Sequence, residues 1–482
     1  MLPGHSPALG SVVDFDPGSF RDRTGRVFTC DGAVYRGLGP EALVNWQTLV
    51  EKRFFRQFTE AGKLVETEQV DGFQVAHPDQ DQPWAGILKH RLIPFISYAY
   101  EWSFGMLRDA ALLQLELLNA ALSEGMIVKD ASPYNVQWHG SRPVFIDIPS
   151  FVPHTPGAAW VAYRQFCQLF LYPLLLQAYR NIPFQPWLRG SIEGIEPQHC
   201  WNLMSARDVF RPGVLMHVFM HARMAARHAN TDRVRNVKQG LRQAGVDTQM
   251  IQANVSGLMR IVQRLHWRQA LSEWSNYAAD NSYSPADQQV KEVFVRQVAA
   301  LRRRRLVWDL GANTGAYSRI AASHADYVVA LERDPLCVER FYQDLKREGN
   351  GTILPLVLDL ADPSVNRGWR GLERRAITNR AQPDLVLCLA LIHHLVIGSN
   401  VPLSDLVQWL AGLNCEVVIE FVTRNDPMAQ RMLRRKDDAY PEYHEANFER
   451  CLENHFTIVK RTALSAGIRI LYHVAPKIPV VV

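Results

Sequence analysis

No cysteine in this chain stands in a C-x-x-C pair. The seven, Cys30, Cys167, Cys200, Cys337, Cys388, Cys415 and Cys451, are scattered over 482 residues. An odd, dispersed set reads as reduced thiols, not as a disulfide framework or a zinc site. The opening Met1-Leu-Pro-Gly-His-Ser-Pro7 lacks a basic stretch followed by an apolar core, so no secretion signal is expected. Long hydrophobic runs are missing too. The longest, Phe166 to Tyr179, is interrupted by Gln168 and Pro173 and falls short of the ~20 residues that a membrane span needs. A soluble, cytoplasmic protein without a membrane partner is the expectation. Charge of one sign is in small excess: 53 Lys and Arg against 48 Asp and Glu give +5, which permits an anionic partner without requiring one. The densest basic run, Arg302-Arg-Arg-Arg305, reads as a solvated helix end, with a nucleic-acid patch as the alternative. There is no internal repeat and no low-complexity tract.

What is present is the balance of a folded protein, 47% hydrophobic and 21% charged. The length exceeds the ~250–300 residues that one core fills, so two or three domains are expected. The most informative stretch is Leu306-Val-Trp-Asp-Leu-Gly-Ala-Asn-Thr-Gly315, an apolar run ending in a glycine-punctuated turn. A second run, Val328-Val-Ala-Leu-Glu-Arg-Asp334, follows about one strand–helix unit later and ends in an acid. A parallel strand feeding a tight turn and a helix presents backbone N–H groups at the strand tip. Gly311 and Gly315 permit close approach of a ligand, and Glu332 stands where a carboxylate accepts hydrogen bonds from a ribose. The pattern departs from G-x-G-x-x-G, with Asp309 two residues before the first glycine and Asn313 in place of a middle one, so a dinucleotide is not the ligand it suits.

This spacing resembles motif I of class I S-adenosylmethionine-dependent methyltransferases, whose ligand has no phosphates and carries a charged amino-acid end. The resemblance continues in order. Leu356-Val-Leu-Asp-Leu-Ala-Asp362 looks like the third strand, with Asp359 on the adenine side. Pro383-Asp-Leu-Val-Leu-Cys-Leu-Ala390 looks like the fourth, leading into Leu391-Ile-His-His-Leu395, and Glu416-Val-Val-Ile-Glu-Phe-Val422 looks like the fifth. Phe456-Thr-Ile-Val-Lys460 and Ile468-Arg-Ile-Leu-Tyr-His-Val474 supply closing strands, one of them antiparallel in this family. The fold class expected is therefore α/β: a Rossmann-like, mostly parallel, seven-stranded C-terminal sheet over residues 286–482. The resemblance implies S-adenosylmethionine as cofactor, held by Asp309, Gly311, Asn313 and Gly315 at its methionine end, Glu332 at the ribose and Asp359 at the adenine, with Leu389 also in the cofactor site. His393 and His394 stand at the acceptor rim, where a hydroxyl nucleophile needs a base and histidine suits. The alternative is that one packs and the other lines the site. The sequence lacks the Asn/Asp-Pro-Pro-aromatic tetrad of planar-amine methylation, and Glu420 reads as a structural acid.

Before residue 285 the pattern changes. Helical periodicity covers 41–62 and Met106–Leu122, the latter ended by Glu124-Gly125; more helix is expected from Trp160 to Arg180 and from Gly213 to Ala229. Trp84 to Tyr100 is strand-like, and His77 to Pro83 is a polar loop. After Gly125 come Ile127-Val-Lys-Asp-Ala-Ser-Pro-Tyr-Asn135 and Pro143-Val-Phe-Ile-Asp-Ile148. These resemble the catalytic and metal loops of kinase-like folds, implying an α+β domain over 1–230 in which Asp130 aligns with the base and Asn135 and Asp147 with ligands of Mg-ATP. The departures are Val128 two residues before Asp130, Ile148-Pro149 after Asp147, and no glycine-rich turn; Lys89 is the best available nucleotide lysine. A degenerate scaffold, or a turn capped by Asp130 and Asn135, are the alternatives. Residues 231–285 read as a helical linker or lid, with Trp267, Trp274, Tyr277 and Tyr283 as a domain seam or an acceptor lid. His217 and His221, four apart, lack a third ligand and read as packed or solvated, so no metal site is assigned.

The two halves together are similar to a group of bacterial methyltransferases that includes the rhizobial nodulation protein NoeA. That similarity implies a methyltransferase whose acceptor is poorly defined; the expectation adopted is transfer to a hydroxyl or other small polar acceptor of a small molecule. A regulatory or bifunctional protein binding Mg-ATP, and an RNA methyltransferase, are the alternatives.

Overall fold

A computed structural model describes residues 12–477, apart from 74, 77, 79–82, 229–246, 270–271, 273–283, 437–439 and 465–466. The chain divides into two compact units. The first comprises Met1–Trp138, Pro143–Gln269 and Asn366–Arg374; the second comprises His139–Arg142, Ala270–Val365 and Arg375–Val482.

The first unit opens with a five-stranded antiparallel sheet in the order β1-β2-β3-β5-β4, built from β1 (Val13–Phe15), β2 (Gly25–Cys30), β3 (Ala33–Leu38), β4 (Thr67–Val70) and β5 (Gly86–His90). Two helices, Pro40–Val50 and Arg53–Glu60, replace the single helix expected over 41–62. The break is fixed by Glu124, whose carboxylate accepts from the N–H groups of Arg53 and Phe54, both at 2.8 Å, and so caps the second helix. The strand expected to run to Tyr100 stops at His90, because the aromatic Phe95, Tyr98 and Tyr100 beyond Pro94 turn inward and are buried. The helix Phe104–Ser123 matches its periodicity, starts on Ser103 and ends before Gly125, whose φ of 77° is the left-handed conformation a glycine adopts easily. Against it packs the helix Thr248–Arg264, with Ile251, Val255, Leu258 and Val262 buried along one face. Between them in sequence come β6 (Met126–Val128), β7 (Val136–His139), β8 (Arg142–Phe145) and β9 (Phe151–Pro153), with β6 paired antiparallel to β9 and β7 beside β8. The helical stretches at 163–180 and 214–228 contain π-helical turns at Cys167–Leu171 and Val214–Phe219.

The second unit is built on a seven-stranded sheet in the order β12-β11-β10-β13-β14-β16-β15. Its strands are β10 (Arg304–Leu310), β11 (Ala325–Glu332), β12 (Ile353–Val357), β13 (Leu385–Cys388), β14 (Glu416–Val422), β15 (Phe456–Ala463) and β16 (Arg469–Pro476). The first five pair in parallel, whereas β16 runs antiparallel to both β14 and β15. Central strands such as β10 and β13 are buried almost throughout, as parallel strands covered on both faces must be. The third strand lies three residues earlier than Leu356–Asp362 suggests. The pairing of Val328–Glu332 on β11 takes Ile353–Val357, and Pro355 is tolerated because β12 is an edge strand. The helix Pro335–Glu348 starts on Asp334, which accepts from Leu336 N, and ends on Gly349.

Candidate active site

The turn after β10 is drawn toward β11 by two hydrogen bonds: Gly311 N and Ala312 N both donate to the carbonyl of Leu331, at 2.8 and 3.0 Å. Asn313 and Gly315 then take left-handed φ of 50° and 83°. A Cβ on Gly315 would lie 1.8 Å from the Phe341 ring, so only glycine fits. At the tip of β11, Glu332 accepts from Asn313 N and Asp334 N, each at 2.9 Å. Burial raises its carboxyl above the ordinary range, while these N–H donors hold the ionised form. The Asn313 N–H is thus already engaged by a carboxylate. A pyrophosphate has no claim on that donor, whereas a diol can still share the lone pairs of Glu332, each carboxylate oxygen carrying more than one acceptor site.

Asp309, buried beneath the turn, accepts from Ser318 Oγ at 2.6 Å, and burial pushes it up to about 6. Asp359 lies two residues beyond β12, pairs with Arg333 at 3.1 Å and accepts from Ala361 N. Leu389 is buried in the core that also holds Val307, Phe341 and Val418. S-adenosylmethionine fits this set: a glycine cradle with no room for a Cβ, a strand-tip acid held by backbone donors, and a buried acid for the amino-acid end.

After β13 the chain turns sharply at Ala390, whose φ is 52°, and a π-helical turn follows at His394–Gly398. Such turns recur at functional sites. His393 and His394 pack against each other with ring centroids 4.0 Å apart and ring planes tilted by 40°. His393 is fully buried and neither ring nitrogen has a hydrogen-bond partner. His394 is half-buried. Burial lowers both, His393 well below its ordinary value and His394 to about 4, and Arg469 deepens both shifts. Both are neutral imidazoles at pH 7.

Sequence reasoning missed the buried ion network of this unit. Lys291, on the helix Pro285–Ala299, meets Glu420 at 2.7 Å; Arg469 of β16 meets Glu420 at 3.4 Å and Asp426 at 2.8 Å. Glu420 is therefore an acid neutralised by two cations. Lys291 also lies 4.7 Å over the Tyr317 ring and feels the charge of Asp309. The only signal for it was a lysine on the inward face of an amphipathic helix.

In the first unit the structure brings Asp130, Asn135 and Asp147 together. Asp147 opposes the ionisation of Asp130, which burial already raises, while Gln165 and Asn135 favour it. Ile146 N donates to the Asn135 carbonyl at 2.8 Å, tying the two loops. Lys89 is not the cation there. Arg36 pairs across β3 and β5 with Leu88, so Arg36, Leu88 and His90 share one face and Lys89 points to the other, where it meets Glu68 at 3.8 Å. The cation is Arg36, whose guanidinium donates to Asp147 at 2.7 Å.

The remaining candidates resolve simply. His217 and His221 each meet a tyrosine hydroxyl, Tyr163 at 2.6 Å and Tyr172 at 2.7 Å, and among the described residues no group of three or more His, Cys, Asp or Glu is arranged to hold a metal. Trp267 donates to Asn181 at 2.6 Å; Trp274, Tyr277 and Tyr283 lie outside the described residues, as do 77 and 79–82 of the polar loop. Each arginine of the basic run has a carboxylate: Arg302 and Arg304 share Glu416, Arg303 meets Asp326 and Arg305 meets Asp384. Arg304 is wholly buried at the first position of β10, with Arg305 following in the strand and Arg302 and Arg303 just before it, beyond the end of the helix Pro285–Ala299. No described helix is long and apolar enough to cross a membrane.

The sheet order, the glycine turn and the acid at the tip of β11 give the second unit the fold of the class I S-adenosylmethionine-dependent methyltransferases. No family profile matches the chain. It is 33% identical over 481 residues to the nodulation protein NoeA of Rhizobium meliloti (strain 1021), spanning 98% of this chain and 97% of that one. The chain belongs to the NoeA family. Solved structures with partial likeness include the N-methyltransferase NodS from Bradyrhizobium japonicum WM9, 14% identical with a TM-score of 0.30 over 40% of this chain and 99% of NodS. The magnesium protoporphyrin IX methyltransferase ChlM from Synechocystis PCC 6803, with S-adenosylhomocysteine bound, is 18% identical with a TM-score of 0.29 over 42% of this chain and 92% of its own.

Proposed function

We propose that the chain methylates a hydroxyl of a small-molecule acceptor held beside His393 and His394. The adjoining pair of neutral imidazoles after β13 carries this reading. The cofactor supplies an electrophilic methyl group on a sulfonium; the protein's task is alignment. In this reading Asp309, Gly311, Asn313 and Gly315 hold the methionine end, Glu332 the ribose and Asp359 the adenine, with Leu389 closing the apolar side. An imidazole near pKa 4 is too weak to ionise an alcohol beforehand. It serves as a hydrogen-bond acceptor that orients the nucleophile, and it takes the proton as the oxygen becomes strongly acidic on methylation. Burial, with Arg469 and, for His393, Lys291, keeps the imidazoles neutral, so that each retains a lone pair that can accept a hydrogen bond.

The domain division belongs to the same proposal: a kinase-like unit over 1–230, a linker or lid over 231–285 whose described helix, Thr248–Arg264, packs on the first unit, and the methyltransferase over 286–482. The antiparallel β1–β5 sheet, the helix Phe104–Ser123 and the succession β6, Asp130 loop, β7, β8, Asp147, β9 support the kinase-like part. Transfer of labelled methyl groups from S-adenosylmethionine to a fractionated lysate tests the acceptor. Label is expected in the small-molecule fraction, and His394→Ala should lower turnover about 100-fold or more while cofactor affinity, measured by calorimetry, holds. Label confined to RNA or protein would overturn the small-molecule acceptor.

A further inference from the structure

Two arginines of the first unit, Arg367 and Arg374, oppose each other across the hairpin Asn366–Arg374, and among the described residues neither forms an ion pair. They are partners in an antiparallel bridge: Arg367 N donates to the Arg374 carbonyl at 2.8 Å, and Arg374 N donates to the Arg367 carbonyl at 3.1 Å. Directly opposed residues project their side chains to one side, where like charges repel. The hairpin's one acid does not relieve them. Glu373 accepts from Arg21 Nε at 3.0 Å, Arg21 Nη2 at 2.8 Å and Trp369 N at 2.8 Å; its charge reaches Arg374, but its oxygens are committed elsewhere.

Arg374 is 7% exposed and donates from Nη1 to the Tyr134 hydroxyl at 3.2 Å, with its guanidinium carbon 5.7 Å from the centre of that ring. Burial raises the Tyr134 hydroxyl, and the charges of Arg374 and Arg367 both oppose the rise, so two cations stand near one phenol. The Nε atoms of Arg367 and Arg374 are buried and have no hydrogen-bond partner. The hairpin itself is closely fitted. A Cβ on Gly18 would lie 2.9 Å from the Leu372 carbonyl oxygen, and a Cβ on Gly368, at φ 86°, would meet the Glu373 side chain at 2.6 Å. Two like charges and buried donors left unspent, held in place beside a hydroxyl, are more donor capacity than the fold consumes.

We infer that Arg367, Arg374 and Tyr134 form a binding site for the phosphate group of a small anion. Two positive charges match a phosphate dianion, and the planar donor forks of arginine suit its several oxygens; a carboxylate brings one charge and two oxygens. The Tyr134 hydroxyl supplies a further donor. No part of methyl transfer uses these residues, and the inference stands on the first unit alone.

Calorimetric titration of the full chain with inorganic phosphate tests it, in about 0.15 M salt so that diffuse charge attraction is screened. Saturable uptake of one phosphate per chain is expected. Arg367→Gln and Arg374→Gln should each weaken it at least about ten-fold, the loss of a charged hydrogen bond. Arg303→Gln, at an exposed ion pair of the second unit, should leave it unchanged. Arg367→Lys, which keeps the charge but loses the fork, serves if the glutamine variants do not fold, with a smaller loss. A nucleoside monophosphate that binds more tightly than inorganic phosphate assigns the group to a larger ligand, and equal affinities assign it to the free anion; either supports the site. No saturable binding overturns the inference, as does binding that folded Arg367 and Arg374 variants retain, or acetate that binds as well as phosphate.

Discussion

Glu332 and Asp147 are both acids at the ends of strand-like segments, and they are satisfied in opposite ways. Glu332 is held by two backbone N–H groups, which stabilise its charge without cancelling it. Asp147 is met by the full positive charge of Arg36. Partial dipoles leave a carboxylate able to recognise a further donor; a guanidinium uses up both its charge and its geometry. The unit that keeps its acid poised is the one with a ligand-binding turn, and the unit that pairs its acid internally gains rigidity instead.

The largest effect expected is at the turn that makes Glu332 available. Gly315→Val places a branched side chain at φ 83° against Phe341, where even a Cβ lies at 1.8 Å. Left-handed strain and overpacking together should cost about 2–5 kcal/mol in chemical denaturation and abolish cofactor binding. A stable variant that binds cofactor normally would show the turn to be arranged differently. Next, Glu332→Ala should weaken S-adenosylmethionine binding about ten- to a hundred-fold in calorimetry, the loss of a charge-assisted contact worth about 1.5–3 kcal/mol, with the fold intact. Asp147→Ala should leave that affinity unchanged. Equal responses would erase the distinction between the two acids. The smallest effect is one of pH. Burial lifts Asp309 to about 6, so it is ionised above that value and neutral below it. Cofactor affinity should therefore fall several-fold as pH drops from about 7.5 to about 5, as the attraction for the methionine ammonium is lost. Ser318→Ala, which removes a hydrogen bond favouring the ionised form, should move that midpoint upward; a midpoint that stays or moves down counts against Asp309 as the responsible group.

Much of the second unit was legible because parallel strands buried on both faces are written as unbroken apolar runs, and the acid or glycine ending each run marks its tip. β10, β11, β13 and β14 were read on that signal. β12 slipped by three residues because Pro355 interrupts its run and the apolar Leu356 and Leu358 continue beyond it. Lys291 and Arg469 were illegible: a sequence shows that a cation is present, not that it faces inward to Glu420. In the first unit the convergence of Asp130, Asn135 and Asp147 could be read from loop spacing, but not their counter-ion. Lys89 and Arg36 are both cations on short strands, and only the cross-strand register of Arg36 with Leu88 decides which one faces Asp147.

β16 is inserted between β14 and β15, so two strands made earlier have no shared edge until a later one arrives. During synthesis the ribosome releases β14, then β15, and only then the strand that joins them. The joining strand also brings Arg469 to Asp426 and Glu420, and His473 to Glu416 at 3.0 Å. Until residues 469–476 emerge, the nascent second unit carries an open hydrophobic edge and buried acids short of their cations. Its folding is therefore gated by the last described strand, and a chain stalled or cut before Arg469 is expected to be a client for chaperones and proteases.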